Sequence, residues 1–125
     1  MIKKKVTRKD IVEYIEKYIT PIEEMYGISK HQICYPYIYV SADKTGDDIK
    51  GEFCYLLNEI VIYYKNIGSL EELIRTLIHE YKHYLQSPSW MTRYYKQGYT
   101  YDNHPYEVAA RLEEENWNKI WEKAL

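Results

Sequence analysis

The segment SLEELIRTLIHEYKHYLQ, residues 69–86, constrains the fold more than any other stretch of the chain. Its apolar residues recur at intervals of three and four, which predicts an amphipathic helix with one face on a core. Ser69 and Glu72 have the spacing of a capping box, so the helix is expected to begin there. The rest of the chain must therefore supply a core for an apolar stripe made of Leu70, Leu73, Ile74, Leu77, Ile78, Tyr81, Tyr84 and Leu85.

Two other segments have helical spacing. TRKDIVEYIEKYITP, residues 7–21, predicts a first helix that ends at Pro21. YEVAARLEEENWNKIWEKAL, residues 106–125, predicts a last helix, which Asn103 or His104 can cap. The aromatic stretch before that cap is expected to be irregular.

The strand-like segments cluster in the first half of the chain. QICYPYIYVS, residues 32–41, is rich in β-branched and aromatic residues, and Pro36 indicates an edge position or a late start. GEFCYLL and EIVIYY predict two more strands, joined by a tight turn near Asn58. The order of elements favours a single α+β domain over residues 1–125, with a small, mostly antiparallel sheet of about three strands.

Composition limits the classes of function. The chain has 125 residues, of which 46% are hydrophobic and 29% charged, and this suits a folded protein. A net charge of -2 gives no reason to expect nucleic acid or an anionic membrane as a partner. There is no apolar run of spanning length and no signal-peptide pattern, so we expect a cytoplasmic protein. Cys34 and Cys54 are expected to be reduced thiols, with a disulfide between neighbouring strands as the alternative.

The best-marked helix also contains the sequence His-Glu-x-x-His. His79 and His83 lie one turn apart, on the side of the helix opposite its apolar stripe. Two neutral imidazoles at this spacing can hold one zinc ion, and Glu80 lies within reach of a water at that ion. The alternative is an exposed helix surface with two histidines, because so short a motif also occurs by chance.

A catalytic zinc site needs a third protein ligand. NHPYEVAAR provides Glu107 in the first turn of the last helix, and Ala109 and Ala110 would let that helix approach closely. The alternative role of Glu107 is an acid that the helix dipole favours. His104 could compete for the metal.

These two motifs, LIHEYKHYLQ and HPYEVAA, resemble those of the gluzincin metallopeptidases. The chain is most similar to the minigluzincins, and it also resembles the ImmA/IrrE peptidase domain. The resemblance covers roughly residues 50–112. It implies one Zn²⁺ per chain, with His79, His83 and Glu107 as ligands and Glu80 as the general base and acid.

The resemblance also implies how a substrate binds. EIVIYY would be the edge strand that pairs with an extended peptide or unfolded protein substrate. One departure concerns the aspartate that many gluzincins place one turn after the ligand glutamate. Arg111 stands there in this chain, so no partner for the ligand histidines is assigned.

Two roles near the expected site stay open. Glu113, Glu114 and Glu115 are expected to form a solvated helix face. A donor is needed to stabilise an oxyanion, and several residues of the connecting segment could serve. The candidates are Tyr94, Tyr95, Tyr99, Tyr101 and His104.

The last helix carries an apolar stripe of its own, formed by Trp117, Ile120, Trp121 and Leu125. This stripe can dock on the chain's own core or on a second copy, giving a closed homodimer. The resemblance favours the second arrangement, because minigluzincins occur as latent, zymogen-like forms shut by their C-terminal segments. The expected function is therefore a zinc-dependent peptidase; the alternative is a non-catalytic module that zinc stabilises.

Overall fold

The computed structural model describes residues 7–43, 49–100 and 103–125. These residues form an α+β fold, as the order of elements predicts. Short 3₁₀ turns at Tyr64–Asn66 and Glu114–Asn116 connect some of the elements. The elements in chain order are α1 (Arg8–Tyr26), β1 (Tyr37–Ser41), β2 (Gly51–Cys54), β3 (Glu59–Tyr63), α2 (Leu70–Leu85), α3 (Pro88–Lys96), α4 (Pro105–Glu113) and α5 (Trp117–Lys123).

The sheet has the strand order β1-β3-β2. The tight turn near Asn58 is confirmed: Asn58 has a φ of 49°, and β2 pairs antiparallel with β3. However, β1 pairs parallel with β3, so the sheet is mixed rather than mostly antiparallel. The prediction that EIVIYY is the edge strand is wrong, since β3 lies between the other two. Its two fully buried residues, Ile60 and Ile62, suit a central strand.

Helix α1 continues past the proline that was expected to end it. Thr7 and Asp10 form a capping box at its start. Pro21 lies inside the helix, and Gly27 follows the last turn with a φ of 75°. A proline inside a helix costs about 3 kcal/mol. Pro21 and Ile22 are both buried, so packing on the core offsets that cost.

Helix α2 packs its predicted face into the core. Leu73, Ile74, Leu77 and Ile78 are fully buried between the sheet and the helices α1 and α5. Two tyrosines further along the stripe also satisfy backbone carbonyls that follow α1. Tyr81 donates its hydroxyl proton to the Gly27 carbonyl oxygen at 2.6 Å, and Tyr84 donates to that of Cys34 at 2.6 Å. The apolar stripe therefore determines which face of α2 remains for other chemistry.

The stretch after α2 was expected to be irregular. This prediction is wrong, because Pro88–Lys96 forms α3. Proline suits the first turn of a helix, since the amide proton that it lacks has no partner there. The predicted last helix divides into α4 and α5 at the Glu114–Asn116 turn. His104, one of the two expected caps, accepts a hydrogen bond from the Tyr106 backbone N–H.

Cys34 and Cys54 are free and half-buried, so the alternative of a disulfide is not realised. No helix in the described ranges is long and apolar enough to cross a membrane.

The stripe of α5 packs on the chain's own core. Ile120 is fully buried in the core cluster, and Trp117 packs against that cluster. Trp121 and Leu125 remain exposed. Own-core docking, one of the two arrangements considered, is therefore present in the single chain. Association of two chains through this helix stays a prediction.

We expect Ile120→Ala to lower the free energy of unfolding by about 2–5 kcal/mol, because it leaves a cavity in the core. Leu125→Ala is the matched control, since Leu125 is 82% exposed and should change stability by less than about 0.5 kcal/mol. Urea unfolding of the two variants measures the difference. Equal, small effects would show that α5 does not pack on this core.

Candidate metal centre

Helices α2 and α4 bring the three predicted ligands together. His79 and His83 lie on the face of α2 that turns away from the apolar stripe, and Glu107 lies in the first turn of α4. Ala110 is fully buried where α4 packs on α2, as the small side chain predicts. One ligand atom from each of the three residues lies within 4.8 Å of the other two. The chain therefore assembles a His-His-Glu group that could hold a metal ion.

The ring nitrogens that face each other are both Nε2. The Nε2 atoms of His79 and His83 are 3.2 Å apart. The Glu107 carboxylate lies between the rings, with Oε2 3.2 Å from Nε2 of His79 and Oε1 2.5 Å from Nε2 of His83. All three groups thus direct electron pairs at one small volume.

Hydrogen bonds on the far side of each ring determine which nitrogen is protonated in the neutral imidazole. Nδ1 of His79 lies 2.7 Å from Oε2 of Glu114, and a carboxylate only accepts. Nδ1 of His83 lies 2.8 Å from Oε1 of Gln86. The oxygen and nitrogen of the Gln86 amide cannot be exchanged without losing a second hydrogen bond, because its Nε2 donates to the Tyr106 carbonyl oxygen at 3.0 Å. In the neutral imidazoles, both Nδ1 atoms are therefore donors, and both Nε2 atoms carry the electron pair that a metal can bind.

Three acceptors that face one another need either protons or a metal cation between them. Two imidazole nitrogens and one carboxylate are the donor set of many catalytic zinc sites, in which three protein ligands leave a fourth position open. The residues present therefore fit zinc. The ring of His83 is also held by Tyr106, whose ring stacks on it at a centroid distance of 4.4 Å.

Glu80 lies beside this group but does not belong to it. Its side chain is 7% exposed, and no described residue hydrogen-bonds its carboxylate. Burial raises the pKa of Glu80 to about 7, although the neighbouring His83 and His79 act to lower it. A buried carboxylate without a partner, next to a cleft, is suited to exchanging a proton near neutral pH.

Without a metal, a proton on His79 takes the place of the cation. Burial acts to lower the pKa of His79, but its hydrogen bonds to Glu107 and Glu114 outweigh burial and raise the pKa to about 10. Burial alone would raise the pKa of Glu107. The hydrogen bonds with His79 and His83 reverse this effect and hold the pKa well below its usual range.

The site opens into a cleft between α2 and the edge strand β2. Two adjoining cavities, of about 240 Å³ and about 410 Å³, share Gly51, His79 and Glu80 in their walls. Gly51 permits this close approach of strand and helix. A Cβ atom at Gly51 would lie 2.8 Å from Cγ2 of Thr76 and 3.3 Å from Cγ of Glu80.

Two partners of the ligand histidines were not predicted. The expectation that Glu113, Glu114 and Glu115 form a solvated face is wrong for Glu114, because it bonds His79. A signal was present: Glu114 follows Glu107 by seven residues, which places both on one helical face. Gln86 follows His83 by three residues, a spacing at which helical side chains meet.

The two oxyanion candidates whose side chains are described, His104 and Tyr99, do not face the cleft. His104 is buried at the start of α4 and is absent from the metal-binding group, and Tyr99 is exposed. Neither lines the two cavities. The side chains of Tyr94 and Tyr95, and all of Tyr101, lie outside the described part of the chain.

Comparison with known proteins does not assign this chain to a family. The chain matches no protein-family model, no curated protein and no solved structure. The resemblance to the gluzincins therefore rests on the two motifs and on the way the fold brings them together.

We expect Gly51→Ala to destabilise the fold by about 1–3 kcal/mol, because the new methyl group would overpack β2 against α2. Gly68→Ala is the matched control, since a Cβ atom there would meet the Glu72 carboxylate only at 3.5 Å. Thermal unfolding of the two variants measures the difference. Equal stability would show that β2 does not lie this close to Glu80.

Metal affinity should fall as the pH falls. His79 is protonated at neutral pH in the metal-free protein, because its pKa is raised to about 10, and a metal must displace that proton. Each displaced proton costs about tenfold in affinity per pH unit below that pKa. Zinc titrations between pH 6 and 8 measure this slope. An affinity that does not change with pH would contradict the protonation of His79 in the metal-free protein.

Proposed function

We propose that this chain is a zinc-dependent metallopeptidase of the gluzincin type, which hydrolyses peptide bonds. The observation that carries the proposal is the convergence of Nε2 of His79, Nε2 of His83 and the Glu107 carboxylate on one volume at the wall of a cleft. Among residues 7–43, 49–100 and 103–125 only three side chains converge, which would leave one position of a tetrahedral site free for catalysis, whereas structural zinc sites are closed by four protein ligands. This difference favours a peptidase over a zinc-stabilised module.

Each side chain has a role that follows from its contacts. His79, His83 and Glu107 would hold the ion, which supplies Lewis acidity for attack on a carbonyl group. Glu80 would accept a proton from the attacking water and pass it to the leaving amine, since no residue in the described ranges hydrogen-bonds its carboxylate.

The free edge of β2 supports an extended peptide as the substrate. In the described part of the chain, β2 pairs only with β3, and its other edge borders the cleft. A peptide could add there as a further strand through main-chain hydrogen bonds. In this proposal β2 therefore takes the role that the resemblance implies for EIVIYY.

The proposal predicts that Glu80→Gln keeps its zinc and its fold but loses about 10²–10⁴-fold in peptide hydrolysis, because the amide cannot accept the proton. Glu71→Gln is the matched control. Glu71 lies on the same helix as Glu80, but it is exposed, bonds Arg75 at 2.9 Å and lines neither cavity, so the rate should be unchanged.

The measurement is cleavage of an unstructured protein by zinc-loaded samples of equal metal content. Equal rates for wild type and Glu80→Gln would contradict the mechanism. A zinc-loaded wild type that cleaves no peptide would favour the non-catalytic module.

A further inference from the structure

We propose that Glu114 is a positioning residue of the metal centre, and that the turn between α4 and α5 delivers it. Its carboxylate accepts the Nδ1 hydrogen bond of His79 and so keeps the Nε2 electron pair of that ring directed at the ion. This inference rests on the proposed metal centre. It does not require that the centre be a peptidase.

The contact has the geometry that this role needs. Oε2 of Glu114 lies 2.7 Å from Nδ1 of His79, on the opposite side of the ring from Glu107 and His83. The His79 and Glu114 side chains are 15% and 24% exposed, so the bond is partly shielded from water. A carboxylate in this position fixes both the tautomer and the orientation of a ligand histidine, and it raises the basicity of the ligand nitrogen.

The position of Glu114 in the chain is unusual for this role. Arg111, one turn after Glu107, is exposed and has a basic side chain that cannot accept the Nδ1 proton. Glu114 lies a further turn along. Helix α4 has ended by then, and the Glu114–Asn116 segment is a 3₁₀ turn. Its backbone keeps helical angles (φ -58°, ψ -24°), so Glu114 stays on the face of α4 that carries Glu107 although the regular helix has ended.

The neighbours of Glu114 hold that turn in place. Tyr26 of α1 donates its hydroxyl proton to Glu113 at 3.2 Å, and Asn116 donates to the same Glu113 oxygen at 2.9 Å. On the other side, Arg75 of α2 lies 3.4 Å from Glu115. No two of these three consecutive glutamates share a hydrogen-bond partner, and only the middle one reaches a proposed metal ligand.

The same turn connects the metal centre to the C-terminal helix. Helix α5 begins directly after Asn116, and its Ile120 is fully buried in the core. The guanidinium of Arg75 lies 5.8 Å from the centre of the Trp117 ring. Docking of α5 therefore keeps the turn against α2, where Glu114 meets His79.

The test compares zinc affinity in Glu114→Ala and Glu115→Ala at one pH, by competition with a chelator. Both variants remove one negative charge from the same turn, but the Glu115 side chain is 73% exposed and bonds Arg75 instead of a ligand. We expect about 10–100-fold weaker zinc binding in Glu114→Ala. We expect zinc binding to weaken by less than about threefold in Glu115→Ala, because exposed ion pairs contribute little free energy.

Two further readouts separate positioning from support of the fold. The Nδ1 proton of His79 should give an NMR signal protected from exchange in the zinc-loaded wild type and in Glu115→Ala, and that protection should be lost in Glu114→Ala. Glu114→Gln should recover part of the affinity, since its amide oxygen can still accept the hydrogen bond.

The inference is overturned if both alanine variants bind zinc equally well. It is also overturned if Glu114→Ala weakens the metal-free fold enough to explain its loss of affinity. A wild type that binds no zinc would remove the proposed function as well, so the two failures can be told apart.

Discussion

Helix α2 packs one face into the hydrophobic core and turns the other toward the cleft of the possible metal-binding group. The rest of the structure depends on this division of its surface. One face carries aliphatic and tyrosine side chains that the core buries completely. The other face carries His79, Glu80 and His83, whose polar atoms need partners or a cation. Because a helix is rigid over its length, burying the first face fixes the direction of the second. The two histidines of the possible metal-binding group are thus oriented by the hydrophobic core beneath them.

The polar face is completed by segments distant in sequence. Helix α4 presents Glu107 near its N-terminus, where the helix dipole favours a negative charge. The Glu114–Asn116 turn and the C-terminal cap of α2 then provide the acceptors behind the two rings. Each group alone would be costly to bury, but together they surround one volume that could hold a metal ion.

The helices and the three residues of the possible metal-binding group could be predicted because their signals are local. The spacing of apolar residues indicates which side of α2 is buried, and the spacing of His79 and His83 indicates that both lie on the other side. Glu107 could be found because it stands in the first turn of the next helical pattern. The strand order could not be predicted, because the pairing of β1 with β3 is a long-range choice that no short pattern records. The continuation of α1 through Pro21 was missed for a related reason, since burial of that residue outweighs its helix-breaking tendency. Glu114 was missed because a run of glutamates is typical of a solvated surface.

The zinc content of wild type, Glu107→Ala and His31→Ala tests the central claim most directly. His31 is an exposed histidine outside the metal-binding group, so its variant controls for adventitious binding to imidazole. Elemental analysis after dialysis should find about one zinc per chain in wild type and in His31→Ala, and far less in folded Glu107→Ala. Wild type without zinc, or Glu107→Ala with as much zinc as wild type, would contradict a zinc centre held by His79, His83 and Glu107.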